Sequence, residues 1–388
     1  MKLSWVSYWR QRRRGVVLAS FIVLAFAAVF LFAPGLREKA WRPGRPLAKD
    51  LVKIGVIHVS GVEGASGGYA HAHDLGIREM REAVGLAESQ ILRKIGAPGA
   101  APLVIEGAMR ECIEQGANVI IATSWEHMAI CEKLAGEYPG VIFAHASGIK
   151  HNDVNFTNYF GRIYQPRYLS GMAAGLRTAT NKIGYVAAMG KDNSEVTIGI
   201  NAFAIGVEAV NPEARVHVRA LNSWLDPENE ARAAQSLIAA GCDVIAQHCD
   251  TPAPQIEAQR AGVWGIGYNS DMKDDAPKAV IASVVWNWGT YYTRLIKSVI
   301  DGTFTTTPYM GDMGDGMVGL TALDASMLPP GGAGSIAAAR KRIGSGYEGI
   351  FEGGMETNDG RIIGATGRRL NDVEILGGMN WYYRNVLE

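Results

Sequence analysis

The chain has 388 residues, of which 48% are hydrophobic and 20% are charged. This is enough to bury one large core or two medium ones, and two lobes are the better expectation. The formal net charge is zero, but residues 1–36 contain five basic and no acidic residues, which leaves 33 basic against 38 acidic residues in the remainder. That acidic balance argues against a nucleic-acid partner. Four cysteines are too few for a disulfide scaffold in a chain of this size.

The N-terminal region combines a basic start with an uncharged apolar run. Four arginines between residues 10 and 14 precede eighteen residues without a charge, 15–32. Such a run is long enough to span a bilayer, and the positive-inside rule then exports everything that follows. We predict a signal or anchor helix at residues 1–36 that stays uncleaved. A cleaved signal peptide is the alternative, because its order of charged and apolar residues is the same. Residues 37–50 are basic and contain proline, which predicts a linker.

After residue 50, apolar runs typical of strands alternate with amphipathic stretches typical of helices. The strand runs are rich in valine and isoleucine and do not alternate with polar residues, as parallel strands covered on both faces require. In the first half we predict strands at Lys53–Ser60, Asn118–Ser124 and Val141–Ser147, and helices at His73–Gly85, Ala101–Gln115 and Glu126–Glu137.

The same alternation restarts after a predicted crossover at Phe160–Gln165. We predict helices at Pro166–Thr178, Val196–Val210, Pro227–Ala240 and Thr290–Asp301, and strands at Lys182–Met189, Val244–His248, Val280–Val285 and within VHVRALN and VWGIGYNSDM.

Two similar halves of this kind predict an α/β fold, a hinged clamshell of two doubly wound parallel-sheet lobes. We assign residues 51–162 and 286–328 to lobe 1, and residues 163–285 to lobe 2. Residues 329–388 are rich in turn signals and are predicted to be a C-terminal extension packed on the lobes.

Polar and aromatic side chains follow the predicted strands of lobe 2, at the strand ends where open parallel sheets bind ligands. These strands lead into Trp224, His248, Asp250 and Asp271. Asp271 is the strongest candidate, because a carboxylate there can accept hydrogen bonds from a heterocycle N–H or from hydroxyls. Its alternative role is that of a turn-forming aspartate.

The candidates in lobe 1 also have alternative structural roles. Tyr69 follows a glycine-rich turn and could stack on a planar ring, or could be a half-buried lid residue. His73 adjoins Asp74, but no metal-ligand set is complete nearby, and Asp74 also suits the first turn of a helix. Ser124 can cap the helix that follows it, while Trp125 could face the cleft.

Two further candidates lie on a helix and at the predicted hinge. Asn201 falls in the middle of a helix, where an amide is not locally favoured, so it could reach a ligand or face water. Trp286 could be a hinge residue or a stacking residue. Aromatic residues are unusually frequent at the loop junctions, which suits a flat aromatic ligand. They are Tyr69, Trp125, Trp224, Trp286 and Trp288.

The sequence lacks the common catalytic motifs. It has no G-x-S-x-G elbow, no H-E-x-x-H pair and no evident cysteine with a partner histidine. We therefore predict a binding protein that is not an enzyme and that uses no cofactor or metal.

Several motifs, in this order and spacing, resemble one known family. They are GGYAHAHD, TSWEHM, YLSGMAAGLRT, KIGYVAAM, GINAF, NSWLDPENEARAA, GCDVIAQHCD, GYNSDM, FEGGM and GGMNWYY. With these motifs the chain resembles the basic membrane protein family of ABC-transporter substrate-binding proteins, the purine-nucleoside-receptor-like group with the type I periplasmic-binding-protein fold.

The resemblance implies an extracytoplasmic receptor that closes on a purine base or nucleoside and presents it to a permease. It places Tyr69, Trp224 and Asp271 at ligand positions of the family, with the aromatic rings stacked on the base. Asp271, together with His248 and Asn201, is expected to supply specificity. A membrane-anchored ligand sensor of the same fold is the alternative.

The chain departs from the family pattern at three points. Ser66 stands where nucleoside-binding relatives carry an aspartate, and Trp286 stands where they carry a lysine. Both losses remove polar contacts to a sugar and favour a free base such as adenine. The lipid-bearing cysteine that usually anchors these proteins is absent, which puts anchoring by lipid in doubt.

Overall fold

The computed structural model describes residues 41–62, 68–97, 99–345 and 349–388. The chain divides into two compact units, Met1–Arg42 and Pro43–Glu388, and the fold described below is that of the second. The predicted anchor at 1–36, residues 37–40 of the predicted linker, and Ser66 lie outside the described residues. Among the residues that are described, no helix has the length and apolar character needed to cross a membrane.

The strands alternate with helices along most of the chain. In chain order the strands are β1 (Ile54–His58), β2 (Ile91–Ile95), β3 (Val119–Ala122), β4 (Ile142–Ala146), β5 (Phe156–Gly161), β6 (Lys182–Ala187), β7 (Arg215–Ala220), β8 (Val244–His248), β9 (Trp264–Asn269), β10 (Val280–Trp286), β11 (Tyr309–Gly311), β12 (Val318–Leu320), β13 (Met355–Glu356), β14 (Ile362–Ile363) and β15 (Val386–Leu387). The α-helices are α1 (Tyr69–Val84), α2 (Pro102–Glu114), α3 (Met128–Glu137), α4 (Tyr164–Arg177), α5 (Ser194–Glu208), α6 (Pro227–Ala239), α7 (Ala253–Ala261), α8 (Trp288–Asp301), α9 (Gly332–Gly344) and α10 (Asp372–Gly378).

Two large sheets define the two lobes. The sheet of lobe 1 has the order β11-β5-β4-β3-β1-β2, and all its neighbouring strands are parallel. The sheet of lobe 2 has the order β12-β10-β9-β8-β6-β7-β15, in which β12 alone runs antiparallel to its neighbour. The predicted α/β fold with two parallel-sheet lobes is confirmed.

The burial of the strand residues explains why these sequences form central parallel strands. Every residue of β1, β4 and β8 is buried, as unalternated apolar runs require. Helix α2 packs closely on β1, because an added Cβ on Gly55 would lie 2.6 Å from the Cβ of Cys112. Cys112, Cys131, Cys242 and Cys249 are all buried and free, so they act as small apolar residues.

The chain passes between the lobes three times. It crosses from β5 to α4, returns from β10 to α8 through Asn287, and crosses again from β11 to β12. The sequence-based boundaries place residues 286–328 in lobe 1, whereas β12, within that range, pairs with β10 in lobe 2. The difference arises because β12 is only three residues long, too short to give a periodic signal.

Two strands of lobe 1 have weak sequence signals. β2 is an edge strand with the sequence ILRKI and is mostly part-exposed, so its charged residues hide the apolar pattern. β5 contains Thr157 and Asn158, and it follows a loop rich in polar residues. Neither segment is predicted as a strand from sequence, although β5 leads into the predicted crossover.

The C-terminal extension packs on lobe 2 and on the hinge. β15 adds to the edge of the lobe 2 sheet beside β7. Arg162, in the first crossover, donates from Nε to Asp372 Oδ1 at 3.2 Å and from Nη2 to Oδ2 at 2.7 Å. This two-point contact fastens α10 to the segment that joins the lobes.

Candidate ligand-binding cleft

The two lobes touch where the turn before α1 meets the end of β8. Gly68 has a φ of 95°, and an added Cβ would lie 2.3 Å from the carbonyl oxygen of Asp250. Only glycine permits so close an approach of two backbones in this conformation. The mouth of the cleft is therefore closed at this point, with lobe 1 against lobe 2.

Tyr69 begins α1 and faces the opposite lobe. Burial raises the pKa of its hydroxyl well above the ordinary value, and further increases come from Glu195, Tyr159, Tyr268 and Asp250. Glu195, Tyr268 and Asp250 all belong to lobe 2. Tyr69 of lobe 1 and these side chains of lobe 2 therefore border one cleft. This is expected where the carboxyl ends of two parallel sheets face each other.

A continuous stack of aromatic rings runs through the hinge. His73 stacks on Trp288 with centroids 4.1 Å apart, and Trp288 stacks on Trp286 at 4.6 Å. Trp286 then donates from Nε1 to the hydroxyl of Tyr268 at 3.1 Å. Phe160 covers Trp286 from another side, at 4.9 Å. Trp286 is thus packed as a hinge residue, and His73, which is fully buried, supports the rings behind Tyr69.

The lobe 2 wall is formed by residues that follow β7, β8 and β9. Trp224 accepts a hydrogen bond at its backbone oxygen from the Asp250 N–H, at 2.9 Å. His248 is fully buried and lies edge-on to Trp224 and to Tyr268, with centroids 5.9 and 4.5 Å away. Trp224 is part-exposed, so part of its ring stays available beside Asp250. Asn269 donates from Nδ2 to Asp250 Oδ1 at 2.9 Å.

Two carboxyl groups of the cleft have raised pKa values. Burial raises the pKa of Asp250 to about 8; the hydrogen bond from Asn269 opposes this, while Glu230 and Glu195 add to it. Burial also raises the pKa of Glu195 to about 7, and Arg167 opposes that shift. Burial favours the uncharged form of both carboxyls, and for Glu195 the nearby Arg167 offsets only part of this effect.

Glu195 and Arg167 are not among the residues predicted from sequence. Glu195 lies in the first turn of α5, where an acid is expected for helix stability alone. Arg167 is fully buried; its Nη1 donates to Gln247 O at 2.7 Å and its guanidinium lies 4.1 Å above the Tyr268 ring. Arg167 lies in α4 directly before the mostly apolar run YLSGMAAG, and a charged residue at that position is the one sequence signal that could have indicated it.

Asp271 lies at an exposed turn after β9. Asn269 adopts a φ of 70° at the end of β9, which turns the chain away from the strand direction. Asp271 is exposed and its Oδ1 accepts from Lys273 N at 3.0 Å. This is the turn-forming role that was its alternative. Asp250, which follows the neighbouring strand β8, is the carboxyl that borders Tyr69 and Trp224.

Asp74 is a structural residue of lobe 1. It is 2% exposed and accepts from Arg78 Nε at 2.8 Å and from Arg93 Nε at 2.6 Å. Burial opposes ionisation, but hydrogen bonds from His58, Arg93 and Arg78 outweigh it and hold the pKa of Asp74 well below its usual range. Asp74 therefore joins α1 to β2. Across the described ranges, no group of three or more potential ligands could hold a metal ion.

The remaining predicted residues are also accounted for by local structure. Ser124 accepts from Glu126 N at 3.3 Å, which is the capping role, and Trp125 is half exposed at the end of lobe 1. Asn201 is fully buried and bonds the extension, donating to Trp381 O and accepting from Tyr383 N, both at 2.8 Å. Its expected alternative of exposure to water is therefore wrong, because the side chain is fully buried.

A groove on the flank of lobe 1 is separate from the cleft. It lies between α8 and residues 303–309 and has a volume of about 610 Å³. Arg294, Lys297 and Tyr309 line it together with several exposed threonines, and none of the residues predicted from sequence does.

The two sheets, the three crossovers and the cleft between the lobes define a two-lobed substrate-binding protein. A family model described as ABC transporter substrate-binding protein PnrA-like (Bmp) matches residues 51–328. The chain belongs to this family, as the sequence motifs indicate. It is therefore a non-enzymatic, extracytoplasmic substrate-binding protein of an ABC transporter, and its function implies a permease partner.

Two relatives and one solved structure illustrate the similarity. A purine-binding protein of Brucella abortus is 33% identical over 346 residues, 88% of this chain and 95% of the relative. A protein of Haloferax volcanii, named provisionally as an ABC transporter glucose-binding protein, is 34% identical over 274 residues, 71% of this chain and 68% of the relative. The crystal structure of an ABC transporter solute-binding protein from Aeropyrum pernix K1 has a TM-score of 0.62 at 17% identity, covering 76% of this chain and 92% of that one.

Proposed function

We propose that the chain binds a purine base or nucleoside between its lobes and presents it to the permease of an ABC importer. The observation that carries this proposal is the pair Tyr69 and Trp224, two part-exposed aromatic side chains from opposite lobes that both border Asp250. Flat rings held between aromatic faces, with polar groups at their edges, are typical of heterocycle sites. The similarity to a purine-binding protein of Brucella abortus supports the same ligand class.

In this proposal, closure of the lobes buries both faces of the ligand. Tyr69 supplies one aromatic surface and Trp224 the other, while Asp250 and Asn269 supply polar contacts at the ring edge. Asn269 Oδ1 is buried and has no hydrogen-bond partner within the described part of the chain, so a donor on the ligand would satisfy it. The N-terminal segment of residues 1–36, which has a basic start and an apolar run, would hold the receptor at the extracytoplasmic face of the membrane.

Isothermal titration calorimetry of the purified chain tests the proposal. The panel is adenine, guanine, hypoxanthine, xanthine and their nucleosides, with D-glucose included because of the provisional name of the Haloferax volcanii relative. We expect at least one purine to bind with a dissociation constant in the micromolar range or below, and glucose to give no heat. Heat from glucose and none from any purine would refute the proposal.

A further inference from the structure

Arg167 is a fully buried arginine at the cleft edge of lobe 2. It lies in the first turn of α4, shortly after the crossover from β5. Its Nη1 donates to the carbonyl oxygen of Gln247 at 2.7 Å, and its guanidinium lies 4.1 Å from the centre of the Tyr268 ring. Gln247 and Tyr268 lie near the carboxyl ends of β8 and β9. Arg167 is therefore held at the edge where open parallel sheets bind their ligands.

One edge of this guanidinium is unpaired. Nε and Nη2 of Arg167 are buried and form no hydrogen bond with any residue that the structure describes. Buried polar groups in proteins are nearly always paired, and a buried charge is more costly to leave unpaired than a neutral group. An arginine cannot lose its proton to reduce this cost. The unpaired edge therefore indicates an acceptor from outside the chain.

Unpaired polar atoms also occur at the ends of two neighbouring strands. His248 Nε2, at the end of β8, and Asn269 Oδ1, at the end of β9, are buried and lack a hydrogen-bond partner across the described ranges. Arg167 and His248 flank the same residue of α5, because a Cβ added to Gly199 would lie 3.5 Å from Arg167 Nε and 2.7 Å from His248 Nδ1. Three elements thus bring unmatched polar groups to one end of the lobe 2 sheet, as the polar groups of ligand sites do.

The geometry of the free donors specifies the acceptor. Nε–H and Nη2–H of an arginine are coplanar and parallel, so they match two acceptors side by side. A 6-oxopurine offers such a pair in O6 and N7, the edge by which arginine recognises guanine. A 6-aminopurine keeps N7 but places an amino donor beside it, which would face an arginine donor. The next atom of a 6-oxopurine, N1–H, is a donor of the kind that Asn269 Oδ1 requires.

A carboxylate ligand also offers two adjacent acceptors, but the nearby charges disfavour it. Glu195 of α5 is close enough to Arg167 for the guanidinium to oppose the effect of burial on its pKa, and Asp250 follows β8 on the same wall. A carboxylate would add a further negative charge to a region with two acids and one cation. A neutral pair of acceptors avoids this repulsion.

We propose that Arg167 is a specificity-determining residue of the cleft, whose Nε–H and Nη2–H bind O6 and N7 of a 6-oxopurine. This inference rests on the proposed purine function and adds the class of purine and the ligand edge that is recognised. It differs from the adenine-like base that Ser66 and Trp286 favour at the level of the sequence. The two expectations are distinguished by comparing bases that differ at one acceptor.

Calorimetry of the wild-type chain with three bases tests the recognised edge. Hypoxanthine should bind at least about tenfold more tightly than adenine. In 7-deazahypoxanthine a C–H replaces N7, which removes one acceptor and keeps O6 and N1–H. Its affinity should be about 10- to 150-fold lower than that of hypoxanthine, as expected for the loss of a hydrogen bond to a charged group. Tighter binding of adenine than of hypoxanthine, or equal binding of hypoxanthine and its 7-deaza analogue, would overturn this inference and leave the purine function intact.

The substitution Arg167→Lys tests the residue. Lysine keeps the positive charge but replaces the planar pair of donors with one ammonium group. Hypoxanthine affinity should fall by about 10- to 150-fold, and hypoxanthine and 7-deazahypoxanthine should then bind with similar affinity. A residue that only supports the fold would weaken both ligands equally, so a preserved difference between them would overturn the role of Arg167.

The matched control is Arg177→Lys, in the same helix. Arg177 is part-exposed and lies 3.8 Å from the centre of the Trp264 ring, so this variant should keep the wild-type affinities for both ligands. The comparison of bases in the wild-type chain remains decisive if Arg167→Lys does not fold, which thermal denaturation would reveal. Failure of every purine to bind the wild-type chain would overturn both the proposed function and this inference.

Discussion

The contact between Gly68 and Asp250 allows a direct test of whether ligand binding requires the cleft to close. Gly68→Ala adds a Cβ that would lie 2.3 Å from the Asp250 carbonyl oxygen when the lobes are closed. Real Cβ atoms do not approach that closely, so the lobes must separate by roughly an ångström. Forcing an extra methyl into a packed contact costs about 1 to 3 kcal/mol. If ligand binding requires closure, affinity should fall by about 5- to 150-fold.

The matched control for this substitution is Gly99→Ala. Gly99 also has a positive φ, 75°, but an added Cβ there meets nothing within 4 Å. Both variants carry the backbone strain of alanine at a positive φ, and this strain is larger at Gly68, whose ψ of 178° places it in a region that only glycine adopts readily. Only Gly68→Ala also obstructs the cleft. Calorimetry gives the affinity and thermal denaturation of the ligand-free chains gives the strain. Wild-type affinity in Gly68→Ala, or an equal loss in both variants, would refute the link between closure and binding.

Three further predictions concern individual side chains. Trp224→Ala should weaken purine binding by about 0.5 to 1.5 kcal/mol beyond the loss of buried area, measured by calorimetry; unchanged affinity would remove Trp224 from the site. Asp74→Asn should lower the free energy of unfolding by about 3 kcal/mol in denaturant titrations, because Arg78 and Arg93 lose the carboxylate that pairs with them inside lobe 1. A change under about 1 kcal/mol would show that these two ion pairs are dispensable for stability. His145→Asn should reduce the loss of stability between pH 6.5 and 4. Burial lowers the pKa of His145 to about 4, so the folded chain rejects a proton that the unfolded chain accepts, and its contribution to stability is lost as the pH falls; an acid profile identical to wild type would contradict this.

The sequence is sufficient to predict the fold because the central strands carry unambiguous patterns. β1, β4 and β8 are fully buried and mostly apolar, and helices with clear amphipathic character separate them. The signal fails where an element is short or at an edge. β2 mixes charged residues into an edge strand, and β12 has only three residues, so its pairing depends on tertiary contacts that no local pattern records.

The candidate site is harder to predict because strand ends are also turn positions. Asp250 and Asp271 both follow strands of lobe 2, and both are acids that suit a turn. Their positions differ because Asn269 takes a left-handed conformation and diverts the chain, which leaves Asp271 exposed. Composition alone does not indicate which asparagine adopts that conformation. Asn201 illustrates the same limit, since its partners lie about 180 residues away in the extension.

The helix that carries Glu195 is fixed by residues beyond the part of the chain matched by the family model. α5 is bonded to the extension at its start, where Ser194 Oγ donates to Leu376 O at 2.9 Å, and near its middle through Asn201. The same extension is fastened to the first crossover by Asp372 and Arg162. Because one segment contacts both the hinge and the helix of a cleft acid, the placement of Glu195 depends on the hinge as well as on lobe 2. The residues that position the cleft therefore extend beyond those that line it, to the C-terminal segment 329–388.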